Sequence, residues 1–152
     1  MGSEEQEEQK RLILRAIDEL HLHNHVDLLG FVSRGELRRQ AYINDVFLAP
    51  SVTAASGDNE GGAPVTLVEM SATGMPIVST KHCDIPFVVE DGITGCLTPE
   101  RDADGLAQDL ARLADDSALR TAMGEAGRRF VEEKLDARVL ARQLEAHYRS
   151  LC

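Results

Sequence analysis

Apolar residues recur along this chain at two different periods, and the switches between them mark out its elements. Leu12, Ile13, Ala16, Ile17 and Leu20 follow helical spacing after a charged opening from Glu4 to Lys10. Acids at the start and bases further on suit the helix dipole, and Asn24 is placed to stop this helix in a left-handed conformation. Val26 to Leu29 reads as a short strand closed by Gly30. Ser33, with Glu36 three residues on, forms a capping box that opens a second helix. Val46 to Leu48 reads as a strand stopped by Pro50. A polar, glycine-rich loop over 51–62 leads to a helix that begins at Pro64 and ends at Gly74. Ile77 to Ser79 is the next strand. A loop over 81–91 follows, with a helical turn expected at 87–89, and Gly95 to Leu97 is the fourth strand.

After Pro99 the strand signals cease. Leu106, Leu110 and Leu113 form one helical stripe, Leu119, Met123 and Phe130 a second, and Val139, Leu140, Leu144, Tyr148 and Leu151 a third. Strands alternating with helices indicate an α/β fold around a parallel sheet of about four strands. Met1-Gly2-Ser3 reads as an expression scar. Residues 4–152 read as a single domain, an α/β part over 4–99 and closing helices over 100–152 that pack against the sheet rather than form a site.

Composition narrows the function classes. The 152 residues are 43% apolar and 28% charged, with a net charge of −10. That suffices for a core and argues against nucleic acid or an anionic membrane as a partner of the whole surface. No apolar run reaches the roughly 20 residues of a membrane span, and no charged-then-apolar leader opens the chain. Cys83, Cys96 and Cys152 form no zinc or disulfide pattern, so a cytoplasmic protein is expected.

The candidate chemistry is concentrated between Asp58 and Thr80. Glu60 precedes Gly61 and Gly62, Pro64 starts a helix, and Glu69 lies inside it. A helix start leaves backbone N–H groups without intrahelical partners. Proline there removes a donor that would be an orphan anyway, and the glycines let a ligand approach the backbone closely. Such an end favours a phosphate, and two carboxylates suit hydroxyls. A nucleotide-sugar site fits this pattern, and so does a plain loop–helix connection with surface acids. His21, His23 and His25 read as a polar helix terminus ahead of a metal site. Asp58-Asn59-Glu60 weakly imitates an acid-x-acid metal clamp, and no metal is expected. Lys81-His82-Cys83-Asp84 reads as a loop with nothing to position a base.

The motifs together resemble the C-terminal, donor-binding domain of family 4 glycosyltransferases (glycosyl transferases group 1), which have the GT-B fold. Those enzymes carry an acid, a short Gly/Pro turn, a helix with a second acid, then Ala-x-Gly-x-Pro-Val-Val-x-Thr. Here stand Glu60-Gly61-Gly62-Ala63-Pro64, and then Glu69 to Thr80 with Ala72, Gly74, Pro76, Ile77 and Val78 in register. Leu29-Gly30-Phe31-Val32, Asp45 to Ser51, Ile85-Pro86 and Asp91-Gly92-Ile93-Thr94-Gly95 fit the neighbouring segments, so the resemblance covers about residues 10–150.

The resemblance implies a Rossmann-like sheet and retaining sugar transfer in polysaccharide, lipopolysaccharide or glycolipid synthesis. The donor would be a UDP-, GDP- or ADP-linked sugar, with no further cofactor. Glu60 would hold donor hydroxyls near the reacting carbon. The backbone over Gly61, Gly62, Ala63, Pro64 and Val65 would bind the diphosphate, through the N–H groups of all but Pro64, which has none. Glu69 would bind the ribose, and the main chain near Val32 the base. Eight residues separate Glu60 from Glu69 where seven are commonest, and Phe87 replaces the usual glutamate after Ile-Pro. The acceptor-binding domain, the first two strands of the donor domain and its diphosphate-clamping Arg/Lys pair have no counterpart in this sequence. The chain alone is therefore expected to be inactive, a non-catalytic remnant that binds a nucleotide, sugar or partner being the alternative, and a structural module a weaker one. In the resembled fold, 26–29 and 46–48 have strands between them that this sequence lacks. Either 26–29 moves beside 46–48, or another chain fills the gap and makes a homodimer through exposed strand edges.

Overall fold

The computed structural model describes residues 4–59 and 61–151, in two compact units, Met1–Glu36 and Leu37–Cys152. The first unit holds helix α1 (Glu4–Glu19) and the start of α2 (Arg34–Ile43). α1 stops before Asn24, because His21 takes the left-handed conformation at φ 55°. The Leu22 N–H then bonds the Ile17 carbonyl at 2.9 Å, and the His21 N–H bonds that of Asp18 at 3.1 Å. This pair of bonds satisfies carbonyls that the helix end would otherwise leave open. His23 reaches back to the Asp18 carboxylate at 2.8 Å, which keeps the turn tight.

Val26 to Leu29 forms no strand. Leu28 is 62% exposed, and a short apolar run needs a neighbouring strand to take up its N–H and C=O groups. Its own unit contains no sheet among the described residues. The expected capping of α2 does form, since the Glu36 N–H donates to Ser33 Oγ at 3.2 Å.

The second unit is built on three parallel strands in the order β1 (Phe47–Leu48), β2 (Ile77–Thr80), β3 (Gly95–Thr98). Phe47 pairs with Ile77, Ile77 with Gly95, and Thr80 with Thr98. β2 and β3 are buried throughout, as expected of parallel strands covered on both faces. Ile77 and Leu97 face one core with Leu67, Met70 and Ile85. Val78 and Cys96 face the other with Leu113 and Met123. The first core is closed by α2, α3 (Val65–Ala72) and the single turn α4 (Ile85–Val88), the second by α5 (Ala103–Asp115) and α6 (Ser117–Phe130). Asp102 and Asp116 cap α5 and α6 through the N–H groups of Gly105 and Leu119.

α3 ends where the sequence indicates. Gly74 sits at φ 87°, its N–H bonds the Ser71 carbonyl at 3.0 Å, and the Met75 N–H bonds that of Met70 at 3.4 Å. The final helix departs from expectation. After a π-helical turn (Val131–Leu135), α7 (Ala137–Ser150) buries no residue, and Leu144 in its apolar stripe is 55% exposed. α5 and α6 already cover that face of a three-stranded sheet, so no apolar area is left for a third helix to bury.

Candidate functional site

In a parallel sheet the strand ends and the following helix starts gather at one edge, and ligands bind outside the carboxyl ends of the strands. Here that edge collects the segments after Leu48, Thr80 and Thr98, together with the start of α3. β1 is only two residues long, but side chains extend its hold on β2. Ser79 Oγ donates to the Ala49 carbonyl at 2.7 Å. The Ser51 N–H donates to Thr80 Oγ1 at 3.0 Å, and that hydroxyl donates to the Ser51 carbonyl. Polar residues at 79 and 80 thus act as further rungs where the ladder stops.

The loop beyond Ser51 is fixed from β3. Glu100 accepts from the Thr53 N–H at 2.8 Å, and Arg101 donates to the Thr53 carbonyl at 2.6 Å. Further along, Asn59 Oδ1 accepts the Gly61 N–H at 2.9 Å, and Gly61 takes φ 66°. This turn needs a residue tolerant of the left-handed region, which glycine supplies. One proposed donor is consequently spent, because the Gly61 N–H already has an acceptor.

α3 starts after Pro64, which stands at the N-cap position with no side-chain cap from any described residue. The Leu67 N–H turns back to the Pro64 carbonyl at 3.0 Å. The N–H groups of Val65 and Thr66 have no acceptor among the described residues. Val65 and Glu69, one turn apart on the same helix face, are both exposed. Gly62, Ala63 and Pro64 are half-buried behind them. A carboxylate oxygen of Asp84 lies 3.9 Å from the place a Gly62 side chain would occupy. That acid would repel a phosphate and accept from a hydroxyl. Glu60 lies outside the described residues. Val32, exposed, belongs to the first unit, one residue before the cap of α2. Phe87, in α4, is exposed.

Two cations follow the strands at this edge, and both are engaged. Lys81 pairs with Asp91 at 3.0 Å, and Arg101 holds Thr53. Burial raises the pKa of Asp91, but bonds from the Leu97 N–H and Lys81 outweigh it and hold the carboxyl below its usual range. No group of three His, Cys, Asp or Glu side chains among the described residues is placed to hold a metal.

One constellation contradicts the sequence reading. His82, only 1% exposed, does have a positioned ring. Its Nδ1 stands 2.7 Å from Glu100 Oε1 and its Nε2 3.2 Å from Cys83 Sγ. The His82 hydrogen bond first, then the Thr53 N–H, holds the Glu100 carboxyl below its usual range. His82 and Glu100 meet because each lies two residues past the paired Thr80 and Thr98. Only the register of β2 on β3 carries that signal.

The family model for glycosyl transferases group 1 matches residues 1–130. The chain is 41% identical over 129 residues to the amylovoran biosynthesis glycosyltransferase AmsK of Erwinia amylovora, covering 85% of this chain and 31% of that protein. It is 38% identical over 143 residues to WcaL of Escherichia coli (strain K12), named for colanic acid biosynthesis, covering 93% of this chain and 35% of that one. The chain thus spans about a third of the length of these relatives. The crystal structure of Anabaena HepE in complex with UDP superposes with a TM-score of 0.80 at 21% identity, over 97% of this chain and 38% of that one. At that identity the likeness is one of fold.

Proposed function

This chain belongs to the glycosyl transferases group 1 family, and on that premise we propose that it is the donor-binding portion of a retaining glycosyltransferase. The observation that carries the reading is the start of α3, uncapped by any described side chain at the carboxyl edge of the sheet. The N–H groups of Gly62, Ala63, Val65 and Thr66 take the diphosphate of a nucleotide-sugar. Glu69, one turn along the same exposed face, accepts the ribose hydroxyls. Glu60 and Asp84 accept hydroxyls of the sugar. Donors aimed at the leaving diphosphate stabilise the charge that develops there, so catalysis is mostly positioning. UDP bound to a protein of the same fold supports a nucleotide in this role. The names of AmsK and WcaL support polysaccharide synthesis, and a cytoplasmic setting matches where nucleotide-sugars are used.

Titration of the chain with UDP-, GDP- and ADP-linked sugars tests the reading, with Glu69→Ala as control. With Lys81 and Arg101 both engaged, binding is expected in the millimolar range and without sugar transfer. Binding that Glu69→Ala weakens about tenfold supports the site. Equal binding by both proteins, or none at several millimolar, refutes it, and turnover by the chain alone overturns the expectation of inactivity.

A partner-binding reading has its own observation. β1 pairs with β2 alone among the described strands. Beside it lies a cavity of about 130 Å³ lined mostly by apolar side chains, Leu37, Val46, Phe47 and Met70 among them, with Gln40 and Asn44 at its polar part. An open edge next to an apolar pocket suits strand addition by a second copy. A strict monomer by light scattering at 100 µM-order concentration (about 1.7 mg/ml) would remove this reading.

A further inference from the structure

We propose that Cys83 is a thiol-modification site whose neighbour His82 acts as its base, oriented by Glu100, and that its reagent class is small disulfides. Cys83 is exposed, and its Sγ lies 3.2 Å from His82 Nε2. On the far side of the ring, Nδ1 lies 2.7 Å from Glu100 Oε1. An ionised carboxylate only accepts, so Nδ1 carries the ring proton and Nε2 is left as the acceptor for the thiol. Nucleophile, base and orienting acid therefore stand in sequence, the arrangement that activates a thiol.

The surroundings keep this geometry in place. His82 is buried, so its ring has little freedom to turn. Glu100 is held on its other oxygen by the Thr53 N–H at 2.8 Å. The His82 N–H reaches the Thr80 carbonyl at 2.8 Å, and the Ile85 N–H the His82 carbonyl at 3.0 Å, fixing the backbone on both sides. The flanking charges are Asp84 and Lys81, which is occupied by Asp91. The imidazole, oriented by its carboxylate, is thus the group placed to take the thiol proton.

The step balances without a further reagent. The Sγ proton passes to Nε2, and Sγ attacks one sulfur of the disulfide. A new S–S bond forms as the old one breaks, and the departing thiolate takes the proton from the imidazolium. The protein thiol is oxidised to a mixed disulfide, and half of the reagent is reduced to a thiol.

The test is the rate of mixed-disulfide formation at Cys83 in the full chain with oxidised glutathione, read by site-resolved mass spectrometry from pH 5 to 9. A flexible peptide spanning residues 78–88 is the reference. An ordinary thiol is under about 1% ionised at pH 6. A base held 3.2 Å from the thiol can take its proton as the sulfur attacks, an effect of about tenfold or more. Cys83 should react about tenfold faster than the peptide at pH 6, and Glu100→Gln should move the pH profile toward that of the peptide. Cys83→Ser should remove the adduct at this position. A rate at or below that of the peptide across the range overturns the proposal for the unaltered protein, whatever the variants do. An advantage unchanged in folded Glu100→Gln overturns the orienting role. Sugar-donor binding does not enter the measurement.

Discussion

Gly124 is where α6 meets the end of α3, and substituting it gives a sharp test of the packing that supports the site. A Cβ built there falls onto the Gly74 carbonyl oxygen and lies 2.9 Å from the Gly74 carbonyl carbon. Neither atom can yield cheaply. Gly74 is held at φ 87° by the turn that ends α3, with its N–H on the Ser71 carbonyl. Relief requires α6 to withdraw, which loosens the buried Met123 next to it. Overpacking of this kind costs about 1–3 kcal/mol, occasionally more. Against it stands a gain of roughly 0.8–1 kcal/mol for alanine over glycine inside a helix. With rigid backbone as the obstacle, Gly124→Ala should be destabilised by up to about 2 kcal/mol net. Gly127, one turn on, is the internal control. Its Cβ would meet only ordinary contacts, the nearest 3.5 Å away at the Thr94 carbonyl. Gly127→Ala should therefore be neutral or stabilised by up to ~1 kcal/mol. Urea unfolding with unchanged slope measures both, and the melting temperature should shift by roughly 2–4 °C per kcal/mol for a chain of this size. If Gly124→Ala is stabilised as much as Gly127→Ala, α6 does not approach Gly74 as described.

Acid should weaken the start of α7. The Asp136 carboxyl, lowered to about 2 chiefly by the Arg138 side chain, caps the helix through the Arg138 N–H at 2.8 Å. A depressed folded pKa contributes stability above the unfolded value near 3.8 and loses it as pH falls toward about 2. Protection of the amides in the first turn of α7 should fall over that window, and Asp136→Ala should show the low protection already at pH 6. Glu100→Ala should free the 51–58 loop, read as faster exchange of the Thr53 amide with little change at Val78; equal protection in both proteins would show that Glu100 does not hold the loop. Gly95→Ala should be destabilised by more than ~1 kcal/mol, because its Cβ would lie 2.6 Å from the Ile77 carbonyl oxygen and 2.7 Å from Val89; an unchanged denaturation midpoint would contradict that spacing.

The parts of this molecule governed by local chemistry were legible in its sequence. Periodicity located α1, α5, α6 and α7, and cap and stop residues located α2 and α3. Ser33 and Gly74 named a cap and a stop, because a hydroxyl near a free N–H and a glycine at positive φ act within a few residues of themselves. The run from Gly61 to Glu69 marked the start of α3, for the same reason. What depends on distant partners was not legible. Val26 to Leu29 has strand composition but no ladder to join. The stripe on α7 has core composition, yet the sheet face it would need is already covered. His21 rather than Asn24 ends α1, since helix ends are decided by small differences in where the chain turns back. The contact of His82 with Glu100 follows from the register of β2 against β3, set by long-range pairing and the two cores. Local sequence therefore determined which segments could be helix, strand or turn, and tertiary packing decided which found a surface and which polar side chains met, because those energies exist only once distant segments are in contact.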